Sequence, residues 1–397
     1  MTTGGKASNS RRRDWPQLPD VLLDCIMPRL TKLRDVVSFQ AVCKPWRQAA
    51  AVLALENNRP PGKFRQTLPW LMWRCKSKDC HRHRPGCHCF FDVTAEHNNT
   101  LVCRHMNVAG DGPSAYGRHT TPSTFGWLLR ATEQQQRSLF LFNPFTGNQI
   151  PLPAQDDRSS PEWRSHVWAF AMSAEPTKTE EEVCILMICY VITTDRKQHR
   201  YVPSFCKIGE PRWRPIHLAA EVHECKLSGI MDMVFWRGRF HCVCLGGDIL
   251  VCDLSAGIIS WGFRPQVPIF RGREQMHHRC YLLVSPGEEE LMLVVKTDDL
   301  SGYDQNQLYK FKVCKIDVDG KRWDEVANTG DYAVFVDSWK AVCVSAKDHP
   351  ECRRNCVYHQ TGIYDLGIKK NVPFFPFTEE EDHDLIVPAG WILPSNY

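Results

Sequence analysis

A recurring β-hairpin constrains this chain more than any other feature of its sequence. The run from Leu139 to Asn143 turns at Thr146–Gly147 into Gln149–Ile150–Pro151. Phe205 to Ile208 turns at Gly209 toward Trp213, and Phe311 to Ile316 turns at Asp319–Gly320 toward Trp323. Gly362 to Leu366 turns at Gly367. The turn glycines at 147, 209, 257, 320 and 367 stand 62, 48, 63 and 47 residues apart. The fullest copy runs from Gly229 to Phe263. It predicts strands over Ile230–Phe235, Arg239–Leu245, Ile249–Asp253 and Ile258–Trp261, with turns at Arg237–Gly238, Gly246–Gly247 and Ala256–Gly257. A four-stranded unit cannot bury both of its faces alone, whereas copies stacked around a ring bury them against each other. An earlier copy over Cys89–Val93 brings the total to about six units. A β-sandwich plus a second β domain is the alternative architecture, and it leaves the repeated hairpin unexplained. The expected fold is therefore mainly β, a propeller of about six four-stranded blades.

The first part of the chain follows another rule. Residues 1–13 are a polar arm carrying Arg11–Arg12–Arg13, residues 14–55 have helical spacing, 56–66 form a linker and 67–397 the β region. Trp15–Pro16 and Leu18–Pro19–Asp20 are helix-entry chemistry, followed by Leu22, Leu23, Ile26, Met27 and Leu30. Pro28 should kink or shorten that helix, since proline lacks the backbone donor. A second helix is expected around Val36 to Val42 and a third from Pro45–Trp46. Three helices this short are marginal as an independent fold and lean on a partner.

This segment resembles the F-box, through Trp15–Pro16, Leu18–Pro19, Leu22–Leu23, Ile26, Leu30, Asp35, Phe39, Val42–Cys43–Lys44 and Trp46–Arg47. Pro28 departs from the pattern. The resemblance implies an apolar dock for a SKP-type adaptor, which links the module to a cullin ubiquitin ligase. The family's contact positions fall on Leu18, Pro19, Leu22, Ile26, Val42 and Trp46.

The remainder is similar to plant F-box proteins with a KIB-type β-propeller. The likeness rests on Leu68–Pro69–Trp70–Leu71–Met72, on Leu141 to Gly147 with Leu152–Pro153, on the stretch Val334 to Asp365, and on Trp391 to Ser395. It implies a substrate receptor: the propeller presents a face to a protein target, and the ligase works by proximity. A non-ligase F-box scaffold is the nearest alternative.

Few catalytic patterns stand beside these. There is no Gly-x-Ser-x-Gly elbow, P-loop or Gly-x-Gly-x-x-Gly. His223–Glu224 begins a zinc-protease pair, but Leu227 stands where the second histidine belongs. The acidic runs at 180–182 and 288–290, and His277–His278, read as polar loops. The expectation is a non-catalytic protein without a cofactor. One stretch departs from the family pattern, an insertion over 75–89 that offers seven thiol or imidazole groups in fifteen residues. Zinc takes four such ligands, and Cys75, Cys80, Cys87 and Cys89 are the candidates, although the spacing fits no common zinc module. A zinc- or nucleic-acid-binding protein is thus the remote alternative.

Composition narrows the classes further. Basic and acidic residues number 49 and 45, too balanced for nucleic-acid binding through bulk charge. The longest apolar run, Val183 to Ile192, has ten residues, where a membrane helix needs about 20. It reads as a buried strand. An odd count of nineteen cysteines, without a secretory signal, suggests reduced thiols in the cytosol or nucleus. The tryptophans at 213, 261 and 323 are expected to pack between blades.

Overall fold

The computed structural model describes residues 18–26, 29, 39, 42–49, 68–75, 88–91, 102–104, 123–131, 139–144, 147–154, 164–176, 183–192, 199–264, 278–287, 289–298, 309–318, 322–350, 352–359, 362–373 and 386–392. The chain forms two compact units, divided between Thr67 and Leu68 apart from the single residue Asn396.

The described strands of the larger unit make six sheets. The first joins β1 (Trp70–Cys75), β2 (His88–Phe91) and β3 (Val102–Arg104) to the last strand, β26 (Ile386–Ile392). The second holds β4 (Ser123–Thr124), β5 (Trp127–Ala131), β6 (Leu139–Phe142) and β7 (Gln149–Pro151). The third holds β8 (Arg164–Met172), β9 (Cys184–Ile192), β10 (His199–Lys207) and β11 (Arg214–Pro215). The fourth holds β12 (His217–Leu218), β13 (Ile230–Trp236), β14 (Arg239–Cys244), β15 (Ile249–Asp253) and β16 (Ile258–Phe263). The fifth holds β17 (His278–Val284), β18 (Leu291–Asp298), β19 (Tyr309–Asp317) and β20 (Arg322–Glu325). The sixth holds β21 (Tyr332–Val336), β22 (Ala341–Ser345), β23 (Cys356–His359), β24 (Gly362–Asp365) and β25 (Lys370–Pro373).

Each sheet packs on the next. In β9, Ile185, Met187, Cys189 and Val191 join Trp127, Leu129 and Leu141 of the second sheet. The alternating Leu186 and Ile188 join Phe240, Cys242 and Leu250 of the fourth. A strand buried on both faces needs a continuous apolar sequence, which is why Val183 to Ile192 is unbroken. Similar cores join the fourth and fifth sheets, the fifth and sixth, and the sixth and first. Strands β8, β13, β17 and β22 lie side by side as the inner strands, and β26 lies against β4. This is a β-propeller. Several cysteines of the sheets serve as small core residues: burial pushes the Cys252, Cys280 and Cys314 thiols up to about 12.

Ring closure unites the two ends of the β region. Trp70 pairs with Ile392 and Leu71 with Trp391, so the innermost strand of the first sheet comes from the end of the chain. Asp337 fastens it. One carboxylate oxygen accepts the Trp391 N–H at 3.0 Å, and the other accepts the Trp339 and Lys340 N–H groups at 2.5 and 2.7 Å. The Trp391 indole donates to the Val336 carbonyl at 3.1 Å. Gly390 is required there. Its φ is +153°, and an added Cβ would lie 2.6 Å from the Asp337 carboxylate. Gly390→Ala should lower stability by about 1–3 kcal/mol, read as an earlier chemical-unfolding midpoint. An unchanged midpoint would remove Asp337 as the latch.

Several local expectations need correction. Two sheets have five strands instead of four. In the fourth, β12 adds in parallel to β16, and in the sixth β21 pairs in parallel with β23. The β24–β25 turn falls over residues 366–369, with Gly367 in it as expected; its left-handed residue is Lys369 (φ +55°), and the Gly367 N–H is bound by the Asp365 carboxylate at 2.8 Å. His278 begins β17 instead of lying in a loop.

Candidate functional site

The smaller unit is built on α1 (Asp20–Ile26), which starts where the Pro19 carbonyl accepts the Leu22 and Leu23 N–H groups. Pro28, expected to kink or shorten this helix, lies outside the described residues. A second helical stretch covers residues 44–49. Leu23, Phe39 and Trp46 form its core, and the Phe39 and Trp46 rings lie 4.6 Å apart at 42°. Leu18 and Ile26 pack half-buried against them.

One core cannot cover every apolar residue here. Val21 is 71% exposed, and Leu22 and Val42 are each 48% exposed. Pro19 is exposed as well. Of the six positions singled out by the F-box likeness, Pro19, Leu22 and Val42 face solvent, Leu18 and Ile26 lie at the boundary, and Trp46 is inside. Trp46 can therefore shape the surface but is not freely displayed on it. Val21 is the residue the motif missed. Its signal was present: adjacent apolar residues Val21, Leu22 and Leu23 on a helix cannot all face one core.

Of the four zinc candidates, Cys80 and Cys87 lie outside the described residues. Cys75 ends β1 and Cys89 lies in β2, and their side chains also lie outside the described set. Among the described residues no group of three or more possible metal ligands converges. Of the acidic runs, Glu289 and Glu290 lie between β17 and β18, and Glu290 accepts from Lys315 at 2.7 Å. Residues 180–182 lie outside the described set.

The inner strands carry the second concentration of polar chemistry. Asp232, fully buried on β13, accepts from the Met233 N–H, the Leu282 N–H of β17, and the Lys340 ammonium at 2.7 Å. Lys340 also donates to the Met233 carbonyl at 2.6 Å. Burial pushes the Asp232 carboxyl up, and Lys340 opposes that push. The Tyr281 hydroxyl donates to the Asp337 carbonyl at 2.6 Å. These bonds tie the fourth, fifth and sixth sheets together through residues far apart in sequence.

The three hairpin tryptophans behave alike. Trp213 packs into the core between the second and third sheets and donates to the Pro153 carbonyl at 2.8 Å. Trp261 packs between the third and fourth sheets, and Trp323 between the fourth and fifth. All three serve the stacking of sheets.

The geometry thus defines a β-propeller preceded by a small helical unit with an unpartnered apolar surface. The KIB1-4 beta-propeller family matches residues 91–387, and the chain belongs to that family. The F-box protein At3g56470 of Arabidopsis thaliana is 22% identical over 392 residues, covering 95% of this chain and 88% of its own length. The F-box/kelch-repeat protein At1g64840 of the same plant is 24% identical over 355 residues, covering 85% and 81%. A solved Mycobacterium tuberculosis puromycin-hydrolyzing peptidase aligns over 53% of this chain and 31% of its own, at 15% identity and a TM-score of 0.28, a likeness from which nothing is drawn. The likeness to plant F-box proteins with a KIB-type propeller, read from the sequence, is borne out. Among the described residues no helix is long and apolar enough to cross a membrane.

Proposed function

We propose that this protein is the substrate-receptor subunit of an SKP–cullin–F-box ubiquitin ligase. The exposed set of Pro19, Val21, Leu22 and Val42 is the dock for the SKP-type adaptor, and the propeller holds the protein target. The observation that carries this reading is the apolar surface left open beside a core formed, among the described residues, by Leu23, Phe39 and Trp46. Covering that surface with a partner stabilises a unit too small to stand well alone. Full-length relatives named as F-box proteins support the same reading. The protein contributes no catalytic group and needs no cofactor. It raises the local concentration of the target beside a ubiquitin-charged enzyme. It works in the cytosol or nucleus, where that machinery resides.

The test is adaptor binding by the full chain. Leu22→Glu and Val42→Glu change exposed positions, so the core of the unit remains. Each should weaken binding to a purified SKP-type adaptor by at least about 30-fold, the change that ~2 kcal/mol carries at an interface centre. Binding unaltered by both substitutions, or no binding by the folded wild type, would remove the ligase reading.

A further inference from the structure

Trp168 of β8 and Arg279 of β17 meet the start of β13 from its two sides, and Lys296 of β18 stands beside Arg279. Trp168 sits on the bulge of β8 between Val167 and Ala169. It is 37% exposed, and its indole donates to the Ile230 carbonyl at 3.0 Å. Tyr201 meets it edge-on at 5.5 Å, and the Tyr190 ring lies tilted against Tyr201 at 5.1 Å. From the opposite side, Arg279 of β17 reaches the next carbonyl, Met231, at 3.4 Å. An exposed tryptophan and a guanidinium thus flank the first two residues of β13.

Arg279 stands directly opposite Lys296 in the β17–β18 register. Like charges facing each other across strands are destabilising. Among the described residues neither makes an ion pair with a carboxylate. Arg279 lies over the Trp339 ring at 4.8 Å and Tyr281 at 5.6 Å, and Lys296 over Tyr309 at 3.5 Å. The Arg279 Nε is buried without a hydrogen-bond partner. The two buried carboxylates that feel Arg279 have other commitments. Asp232 is held by Lys340 and two backbone N–H groups, and Asp337 by three backbone N–H groups. Both feel the Arg279 charge without closing on it. Burial holds the Lys296 ammonium below its ordinary value, with Asp298 two residues on opposing that effect and Arg279 adding to it. An oxyanion at this place would relieve the repulsion and satisfy the guanidinium.

We propose that Trp168, Arg279 and Lys296 form the target-binding site of the propeller, taking an extended peptide segment that presents a carboxylate or a phosphate. This deepens the substrate-receptor reading and rests on it for the word target. Trp168 supplies the apolar anchor, and the two cations supply selectivity for the anion. Tryptophan and arginine together dominate binding energies at protein interfaces.

The test uses the full chain and three fluorescein-labelled peptides, alike except for a central phosphoserine, glutamate or glutamine beside a leucine. An anionic peptide should bind at least about tenfold tighter than the glutamine peptide. Preference for phosphoserine over glutamate assigns phosphate as the ligand, and equal binding assigns carboxylate. The preference should vanish in Arg279→Gln/Lys296→Gln and persist in Arg279→Lys, which keeps the charge and the fold. Trp168→Ala should weaken all binding. Equal affinity for the three peptides, a preference unchanged in the double variant, or no binding up to about 1 mM would overturn the proposal. Adaptor binding is measured on the same proteins and should not respond to the double variant. Loss of adaptor binding by the wild type with anion selectivity intact would sink the ligase reading alone.

Discussion

Lys340→Met should cost about 3–5 kcal/mol of stability, the cost of removing one partner from a buried ion pair. The Asp232 side chain is fully buried and that of Lys340 nearly so. Without the ammonium, Asp232 keeps only its two backbone donors, and its carboxyl must take up a proton or stay charged in the interior. The loss also frees the Met233 carbonyl. The effect should register as a lower urea midpoint for the propeller, followed by near-ultraviolet tryptophan signals. A double variant, Asp232→Asn/Lys340→Met, separates charge from packing. It removes both charges and leaves an amide oxygen for one N–H, so it should be more stable than Lys340→Met alone. If the two are equally unstable, the pair acts by shape and the electrostatic account fails.

That pair marks the limit of what the sequence shows. Period-two runs and turn residues predict strands well, because they reflect contacts between near neighbours. The strands of the fourth sheet begin where the Gly229 to Phe263 pattern places them and end within two residues of it, and Arg237–Gly238 is a turn of two left-handed residues (φ +47° and +77°). Asp232 and Lys340 are 108 residues apart, and no periodicity connects them. The same holds for Trp391, which meets Leu71 across the closure. Both motifs were visible in the sequence, but only the ring shows why they belong together. The small β12 edge and the parallel β21–β23 pair depend on which backbone groups remain open after the ladder forms. The candidate docking surface was half legible. Motif order gave the six positions, while the division between Trp46 inside and Leu22 outside depends on how three short segments share one core. Arg279 and Lys296 stood out in no pattern, since their significance lies in facing each other.

Acid should destabilise the propeller between about pH 6.5 and 4, through two buried imidazoles. His359 is 5% exposed, and its Nε2 lies 2.9 Å from the Asn371 Oδ1, so the ring nitrogen donates. Burial lowers its pKa to about 4, the Asn371 bond opposes this, and Lys296 adds to it. His241 is 4% exposed, with its Nδ1 3.2 Å from the Arg239 carbonyl, and burial lowers it to about 4 as well. Both rings are neutral in the fold, whereas the unfolded chain protonates them near pH 6.5. The unfolded state therefore binds more protons across this window, and stability falls as the pH falls. Above the window the contribution is complete, and below about pH 4 the loss levels off. Each ring contributes up to about 3 kcal/mol by this route. Asp232 and Asp337, whose carboxyls burial pushes up, titrate in the opposite sense. The measurement is therefore a difference: urea midpoints of the wild type and of His241→Gln/His359→Gln, each followed from pH 7 to 4. The wild type should lose the larger share of its own stability as acid is added, and the two curves should approach each other. Parallel curves would show that these rings are not the acid-sensitive groups. Any loss would then have to come from other groups, since Asp232 and Asp337, with carboxyls raised by burial, gain stability as the pH falls.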